Sequence, residues 1–200
     1  MHTRFNRQIE LFEQHHGVMR TSEALDAGIS PRDLYCMRDQ GIISRLARGL
    51  YMLAGRKPLE EPDWVIISKK IPKAVICLTS ALAHYEYTSD IPSRVSIALP
   101  TKAEKPRINY PPLWIFWLSG ASYSAGINHL EINQIPIKIY NPEKTITDCI
   151  KFRRKIGEET AINALRNYLN SNQPNLNLLH HYATINRVEQ VMHSYLNTML

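Results

Sequence analysis

Residues 41–57 carry Arg45, Arg48, Arg56 and Lys57 and no Asp or Glu, a local run of unopposed cations of the kind that neutralises phosphates. Within it, Gly41-Ile42-Ile43-Ser44-Arg45-Leu46-Ala47-Arg48-Gly49-Leu50-Tyr51-Met52-Leu53 reads as two short β-prone runs around Ala47-Arg48-Gly49, hence a hairpin with arginines near its turn. As the wing of a DNA-binding module, such a hairpin sets Arg45 and Arg48 against the backbone or minor groove, with Tyr51 packed beneath it.

A second group, Glu143, Lys144, Asp148, Lys151, Arg153 and Arg154, mixes acids and bases on one helical segment. Metal-dependent phosphodiester cleavage needs carboxylates and a lysine converging on one metal and one phosphate. Glu143 and Lys144 are neighbours and do not share a helix face, and no Asp or Glu followed two residues later by Lys stands on a predicted strand. The competing reading makes Glu143 a helix-dipole residue and Thr145 and Asp148 cap or buried hydrogen-bond residues; Lys151, Arg153, Arg154 and Lys155 read as a solvated face, with a phosphate-binding surface for DNA or a tRNA-like partner as the alternative. The paired histidines His15-His16 and His180-His181 point about 100° apart on a helix and make poor joint metal ligands. His84 reads as a packed residue and the three tryptophans as core. No nucleophile elbow, phosphate loop or dinucleotide glycine pattern is present. No metal and no cofactor is expected.

Positioning the hairpin requires helices before it. Phe5, Ile9 and Phe12 space a first helix over residues 4–16 that stops at Gly17. Val18-Met19-Arg20 is an extended link. Thr21 opens a second helix with Ala24, Leu25 and Ala27 for packing and Glu23 in its first turn. Gly28-Ile29-Ser30 is a tight turn, Ser30 a cap, Pro31 the first position of a third helix and Asp33 its capping acid. On that third helix Leu34 and Met37 face inward, Arg32, Tyr35, Cys36 and Asp39 lie opposite, and Arg38 falls on a flank. Arg32, Tyr35 and Arg38 become candidates for the major groove, and Arg20, Thr21 and Ser30 for phosphate contacts near helix starts.

Lys57-Pro58-Leu59-Glu60-Glu61-Pro62 suits a linker and places a boundary near residue 60. Beyond it, a helix carries Trp64, Ile67 and Ile71, with Lys69, Lys70 and Lys73 at its end, where cations favour the helix dipole or extend a basic surface. A buried strand over 74–78, a helix over 80–87 and an alternating strand over 94–99 follow. Strands over 113–118, 127–132 and 135–140 come next, the last two joined by an Asn133-Gln134 turn. Pro106, Pro111 and Pro112 mark an irregular connection. The remaining 60 or so residues are helical: Asn141 caps, Pro142 begins, and Ile146, Cys149 and Ile150 face inward. Ala161, Leu165, Tyr168 and Leu169 do the same in the next helix, and Val188 to Met199 closes the core. The fold class expected is α+β: a winged helix-turn-helix over 1–60, then a mixed α/β domain over 61–200 ending in helices.

At 200 residues, with 44% hydrophobic content, the chain can build two cores. Its formal charge of +6 favours a polyanionic partner without requiring one. Cys36, Cys77 and Cys149 are odd in number and widely spaced, which suits reduced thiols rather than a disulfide framework. No apolar run approaches the ~20 residues of a membrane span. A cytoplasmic protein without a membrane partner is expected.

Four motifs together carry a family resemblance. They are Gly28-Ile29-Ser30, Arg48-Gly49-Leu50-Tyr51, Leu78-Thr79-Ser80-Ala81-Leu82-Ala83-His84, and Glu143-Lys144-Thr145-Ile146-Thr147-Asp148-Cys149. In this order and separation the chain resembles the AbiEi-type antitoxins and transcriptional regulators of type IV toxin-antitoxin systems, which act in phage defence. It departs from them in having Leu50 where valine is usual and Tyr85-Glu86-Tyr87 where Gly-Leu often follows the serine-containing helix. The resemblance implies a non-enzymatic, autoregulating repressor that binds double-stranded DNA at its own promoter. It also implies a C-terminal domain that counters a cognate nucleotidyltransferase toxin without a stable complex. Ser80, His84, Lys144, Thr145, Asp148 and Lys151 are the candidates in that domain. Two alternatives stand beside this reading: a metal-dependent nucleic-acid-processing enzyme acting through the C-terminal domain, and a solitary winged-helix repressor. The oligomeric state is left open.

Overall fold

The structure, a computed structural model, describes residues 4–199. Its elements run α1 (Asn6–Gln14), β1 (Val18–Arg20), α2 (Thr21–Asp26), α3 (Pro31–Asp39), β2 (Ile43–Ala47), β3 (Leu50–Leu53) and α4 (Pro62–Lys70). They continue with β4 (Val75–Ile76), α5 (Leu78–His84), β5 (Val95–Pro100), β6 (Leu113–Leu118), α6 (Ala121–Ser124), β7 (Ile127–Ile132) and β8 (Ile135–Tyr140). Five helices close the chain: α7 (Pro142–Lys151), α8 (Arg153–Ile156), α9 (Glu158–Leu169), α10 (Leu176–Asn186) and α11 (Glu189–Met199). Among the described residues no helix is long and apolar enough to cross a membrane.

Two compact units are present. The first runs to Pro72 and includes Glu131–Pro136; the second holds Lys73–Leu130 and the chain from Ile137 onward. The boundary expected near residue 60 thus lies inside the first unit, because α4 is tied into it. Ser68 Oγ donates to the Pro136 carbonyl at 2.7 Å, and Lys70 Nζ to the Arg48 carbonyl at 2.8 Å. The proline-bearing stretch before α4 is a connection within the unit.

In the first unit, Phe5, Phe12, Met19, Ala24, Ile29, Leu34, Met37, Ile43, Tyr51 and Leu53 form one core. A three-stranded sheet of order β1-β3-β2 lies beside the helices. Residues 18–20, read from sequence as a link, are a strand of that sheet: they pair antiparallel with β3 in the register Val18↔Met52, Met19↔Tyr51, Arg20↔Leu50. Leu25, expected to pack, is 41% exposed; α2 is too short for more than one buried position, which Ala24 takes.

In the second unit the sheet order is β6-β5-β4-β8-β7, with β4 antiparallel to β5 and parallel to β8, and β5 parallel to β6. The irregular chain between β5 and β6 makes a parallel crossover that helices more often supply. The expected strand over 74–78 is only β4, since Leu78 turns out of the sheet with φ +46° and begins α5. β5 is buried from Val95 through Leu99 rather than alternating, because it lies inside the sheet with both faces covered. Trp117, expected in the core, is 42% exposed, because β6 is an edge strand; its indole donates to the Ala103 carbonyl at 3.1 Å.

Every residue of α7 from Lys144 to Ile150 is buried. The helix begins as expected, with Asn141 Oδ1 accepting from Lys144 N at 2.9 Å and Pro142 in the first turn. Only Ile146, Cys149 and Ile150 follow the apolar periodicity. The polar residues are interior as well because α5, α9 and α10 surround α7 on several sides.

Candidate nucleic-acid interface

α2, α3 and the β2–β3 hairpin build the first candidate surface. Arg20 caps α2: its backbone N–H donates to Glu23 Oε2 at 2.7 Å while its guanidinium reaches Glu23 Oε1 at 3.2 Å. Ile29 N–H donates to the Ala24 carbonyl at 2.9 Å and buries Ile29, which fixes the turn into α3. At the head of α3, Ser30 Oγ accepts from Asp33 N at 3.0 Å and donates to Asp33 Oδ2 at 2.9 Å. The Ser30 hydroxyl is therefore taken up as a cap.

α3 divides as its periodicity requires. Leu34 and Met37 are buried, while Arg32, Tyr35 and Arg38 are exposed. Arg38 lies over the Tyr35 ring at 5.2 Å and pairs with Asp39 at 2.7 Å. Cys36, expected on the outer face, is half-buried against the core.

The hairpin turns at Arg48-Gly49, where Gly49 takes φ +70°, a conformation that costs a Cβ-bearing residue. The Gly49 carbonyl accepts from Thr21 N at 3.0 Å, so the hairpin turn is bonded to the first residue of α2. Arg45 and Arg48 are exposed, and among the described residues no carboxylate pairs with either. Tyr51 is buried beneath them, as expected. Arg20 and Thr21 are thus joined to the hairpin turn, and Tyr35 and Arg38 to each other.

The second unit's candidates do not converge on a surface. Ser80 is buried and its Oγ accepts from Ser96 N at 2.9 Å. His84, expected to be packed, is exposed, with its ring edge-on to Tyr85 at 5.0 Å. Thr145 Oγ1 donates to the Tyr140 carbonyl at 3.2 Å.

Lys144 and Asp148 meet in the interior. Lys144 Nζ lies 2.6 Å from both carboxylate oxygens and 4.2 Å from the centre of the Tyr140 ring. Asn186 Nδ2 donates to Asp148 Oδ1 at 2.8 Å, Ser122 Oγ to Asn186 Oδ1 at 3.1 Å, and half-buried Lys151 Nζ to Ser122 Oγ at 3.3 Å. Burial pushes the Asp148 carboxyl up, against the opposing pull of Lys144 and Asn186. Burial also pushes Lys151 down and raises the thiols of Cys77 and Cys149 well above their ordinary value. Paired this way, Asp148 is buried, with protein donors on both of its carboxylate oxygens.

Asn186 and Ser122, the partners that complete this network, have no sequence signal: each stands alone, far along the chain from α7. Among the described residues no group of three or more His, Cys, Asp or Glu is placed to hold a metal ion.

Residues 6–54 match the family model described as "Transcriptional regulator, AbiEi antitoxin". The resemblance carried by Gly28-Ile29-Ser30 and Arg48-Gly49-Leu50-Tyr51 is thereby borne out in the segment that holds them; the other two motifs lie beyond the match. In fold, the chain is similar to the crystal structure of the RV2827C protein from Mycobacterium tuberculosis. The TM-score is 0.60 at 13% identity, covering 90% of this chain and 71% of that one. At that identity the likeness is one of fold. No curated protein matches the sequence.

Proposed function

We propose that the first unit is a winged helix-turn-helix that binds double-stranded DNA at the chain's own promoter, and that the protein is an autorepressing regulator with type IV antitoxin activity. α3 enters the major groove with Arg32, Tyr35 and Arg38, and the β2–β3 hairpin is the wing, its Arg45 and Arg48 on phosphates or in the minor groove. One observation carries this reading: exposed arginines lacking a carboxylate partner sit on a hairpin whose turn is hydrogen-bonded to the start of the helical pair. The match of residues 6–54 to a family of transcriptional regulators supports it. The second unit serves the antitoxin role, opposing a nucleotidyltransferase toxin without a lasting complex; the family resemblance is its support. The enzyme alternative gains nothing from Asp148, which is enclosed by Lys144 and Asn186.

The test is Arg45→Ala with Arg48→Ala, read by anisotropy of a labelled duplex covering the chain's promoter over a range of salt. Each phosphate that the protein ceases to neutralise lowers the salt slope by about 0.9, so the double variant should bind more weakly with a slope lower by about 2. Unchanged affinity and slope would remove the wing from the interface. In cells, the same variant should derepress the promoter yet still rescue growth from a neighbouring nucleotidyltransferase. Loss of rescue would tie antitoxicity to the DNA-binding surface.

A further inference from the structure

α4 ends in Lys69-Lys70, and cations at a helix C-terminus are ordinarily accounted for by the helix dipole. Lys70 does something else: its ammonium reaches away from its own helix to the Arg48 carbonyl at 2.8 Å, on the turn of the β2–β3 hairpin. That turn also holds Thr21 N through the Gly49 carbonyl at 3.0 Å. The hairpin turn, the start of α2 and the end of α4 are therefore laced together, and they bring Arg20, Arg45, Arg48, Lys69 and Lys70 into one neighbourhood.

The electrostatic neighbours agree with that placement. Burial pushes the Lys70 ammonium below its ordinary value, and Arg48 and Arg45 push it the same way. Lys69 is lowered chiefly by burial, with Glu23 opposing and Arg20 adding to the shift. Glu23 is already engaged by the Arg20 backbone and guanidinium. The free protein thus holds like charges together with little acid to compensate them, an arrangement that a polyanion relieves.

We propose that Lys69 and Lys70 form a phosphate-binding flank of the DNA interface, so that the footprint runs from the hairpin turn onto α4. The ligand is the phosphodiester backbone of a double helix. Lys70 also positions the turn by holding the Arg48 carbonyl. This rests on the DNA-binding reading above and extends it to an element outside the matched segment, which ends at residue 54.

The test uses the full chain and the labelled promoter duplex, comparing Lys69→Gln/Lys70→Gln with Lys102→Gln/Lys105→Gln. The second variant removes the same charge from exposed positions on the β5–β6 connection. Glutamine keeps an amide donor for the Arg48 carbonyl, and thermal melting followed by circular dichroism confirms folding. The α4 variant should weaken binding and lower the salt slope by about 2, at about 0.9 per phosphate, while the control leaves the slope as in the wild type. If the glutamine pair melts, Lys69→Gln alone, which leaves the Lys70 bond to the Arg48 carbonyl in place, should lower the slope by about 0.9, and an unchanged slope there overturns the inference equally. A wild-type slope in the α4 variant, or an equal fall in the control, overturns the inference. If Arg45→Ala/Arg48→Ala still lowers the slope in that case, DNA binding by the hairpin stands and only the α4 flank falls. If neither pair changes it, both fall.

Discussion

The outer face of α3 and the interior helix α7 each carry a cation paired with an aspartate and use the pair in opposite ways. On α3, Arg38 pairs with Asp39 at the surface, with side-chain exposures of 40% and 65%. On α7, Lys144 pairs with Asp148 at exposures of 0% and 1%. An exposed pair is worth between nothing and about 1 kcal/mol and gives way readily to a competing ion. A buried pair has lost its water, so each charge depends on the other and on further donors. The surface pair leaves Arg38 available to a phosphate or base edge; the interior pair holds three helices together, since Asp148 is bonded to Asn186 of α10 and Asn186 to Ser122 of α6. Charge along a helix becomes a binding feature or a packing feature according to what surrounds it.

The largest effect that separates the two regions is on stability. Lys144→Ala should destabilise the second unit by about 3–5 kcal/mol, because it leaves Asp148 buried without its cation. Lys144→Met/Asp148→Leu should recover most of that loss. Arg38→Ala should change stability by less than about 0.5 kcal/mol. Urea unfolding of the three variants checks the contrast, and a similar cost for Arg38→Ala and Lys144→Ala would break it. Close packing over the pair adds to its rigidity: a Cβ added at Gly126 would stand 2.7 Å from Lys144 Cβ.

A smaller effect follows from pH. Burial, above all, raises the Tyr85 phenol from 10.0 to about 12, and its O–H donates to the Tyr140 carbonyl at 2.9 Å. The folded state therefore holds this proton more tightly than the unfolded chain. The stabilisation is complete below the unfolded value and is lost as pH rises from about 10 toward 12. Tyr168 and Tyr140 shift in the same direction. The urea midpoint should fall over that alkaline window, and Tyr85→Phe should make the fall shallower. A wild-type pH profile in Tyr85→Phe would show that this phenol is not protected.

What could be read in the sequence was what depends on near neighbours. Ser30-Pro31 and Asn141-Pro142 announced α3 and α7 because cap and first-turn residues act within three or four positions. Asn133-Gln134 announced a hairpin because both residues adopt left-handed φ, +50° and +66°. The exposed arginines of the hairpin were legible for the same reason. What depends on distant chain was not. Trp117 is exposed through its place in the strand order, which no window around it encodes. Lys144 is interior through helices that begin far from it in sequence, and Asn186 and Ser122 join it from there. Lys69 and Lys70 showed charge without position until Lys70 reached Arg48.

The smallest effect lies at a corner where the second unit does without a residue that the first unit uses. Gly49 turns the β2–β3 hairpin at φ +70°, whereas Glu86 ends α5 at φ +59° with a full side chain. Glu86 N donates to the Ala83 carbonyl at 3.2 Å and Tyr87 N to the Leu82 carbonyl at 2.9 Å, so the helix end keeps the left-handed closure that glycine usually provides. The left-handed conformation costs a residue with a Cβ roughly 1–2 kcal/mol. Placing glycine there enlarges the freedom of the unfolded chain, a loss of about 0.4–1 kcal/mol. Glu86→Gly should therefore stabilise the second unit by about 0.5–1 kcal/mol, while Gly49→Ala should destabilise the first by a comparable amount, both read from urea midpoints. Destabilisation by Glu86→Gly would mean that the Glu86 side chain contributes more to this corner than its backbone costs. The two ends would then be closed by different physics: one by a residue chosen for its backbone, the other by a side chain that overrides its own.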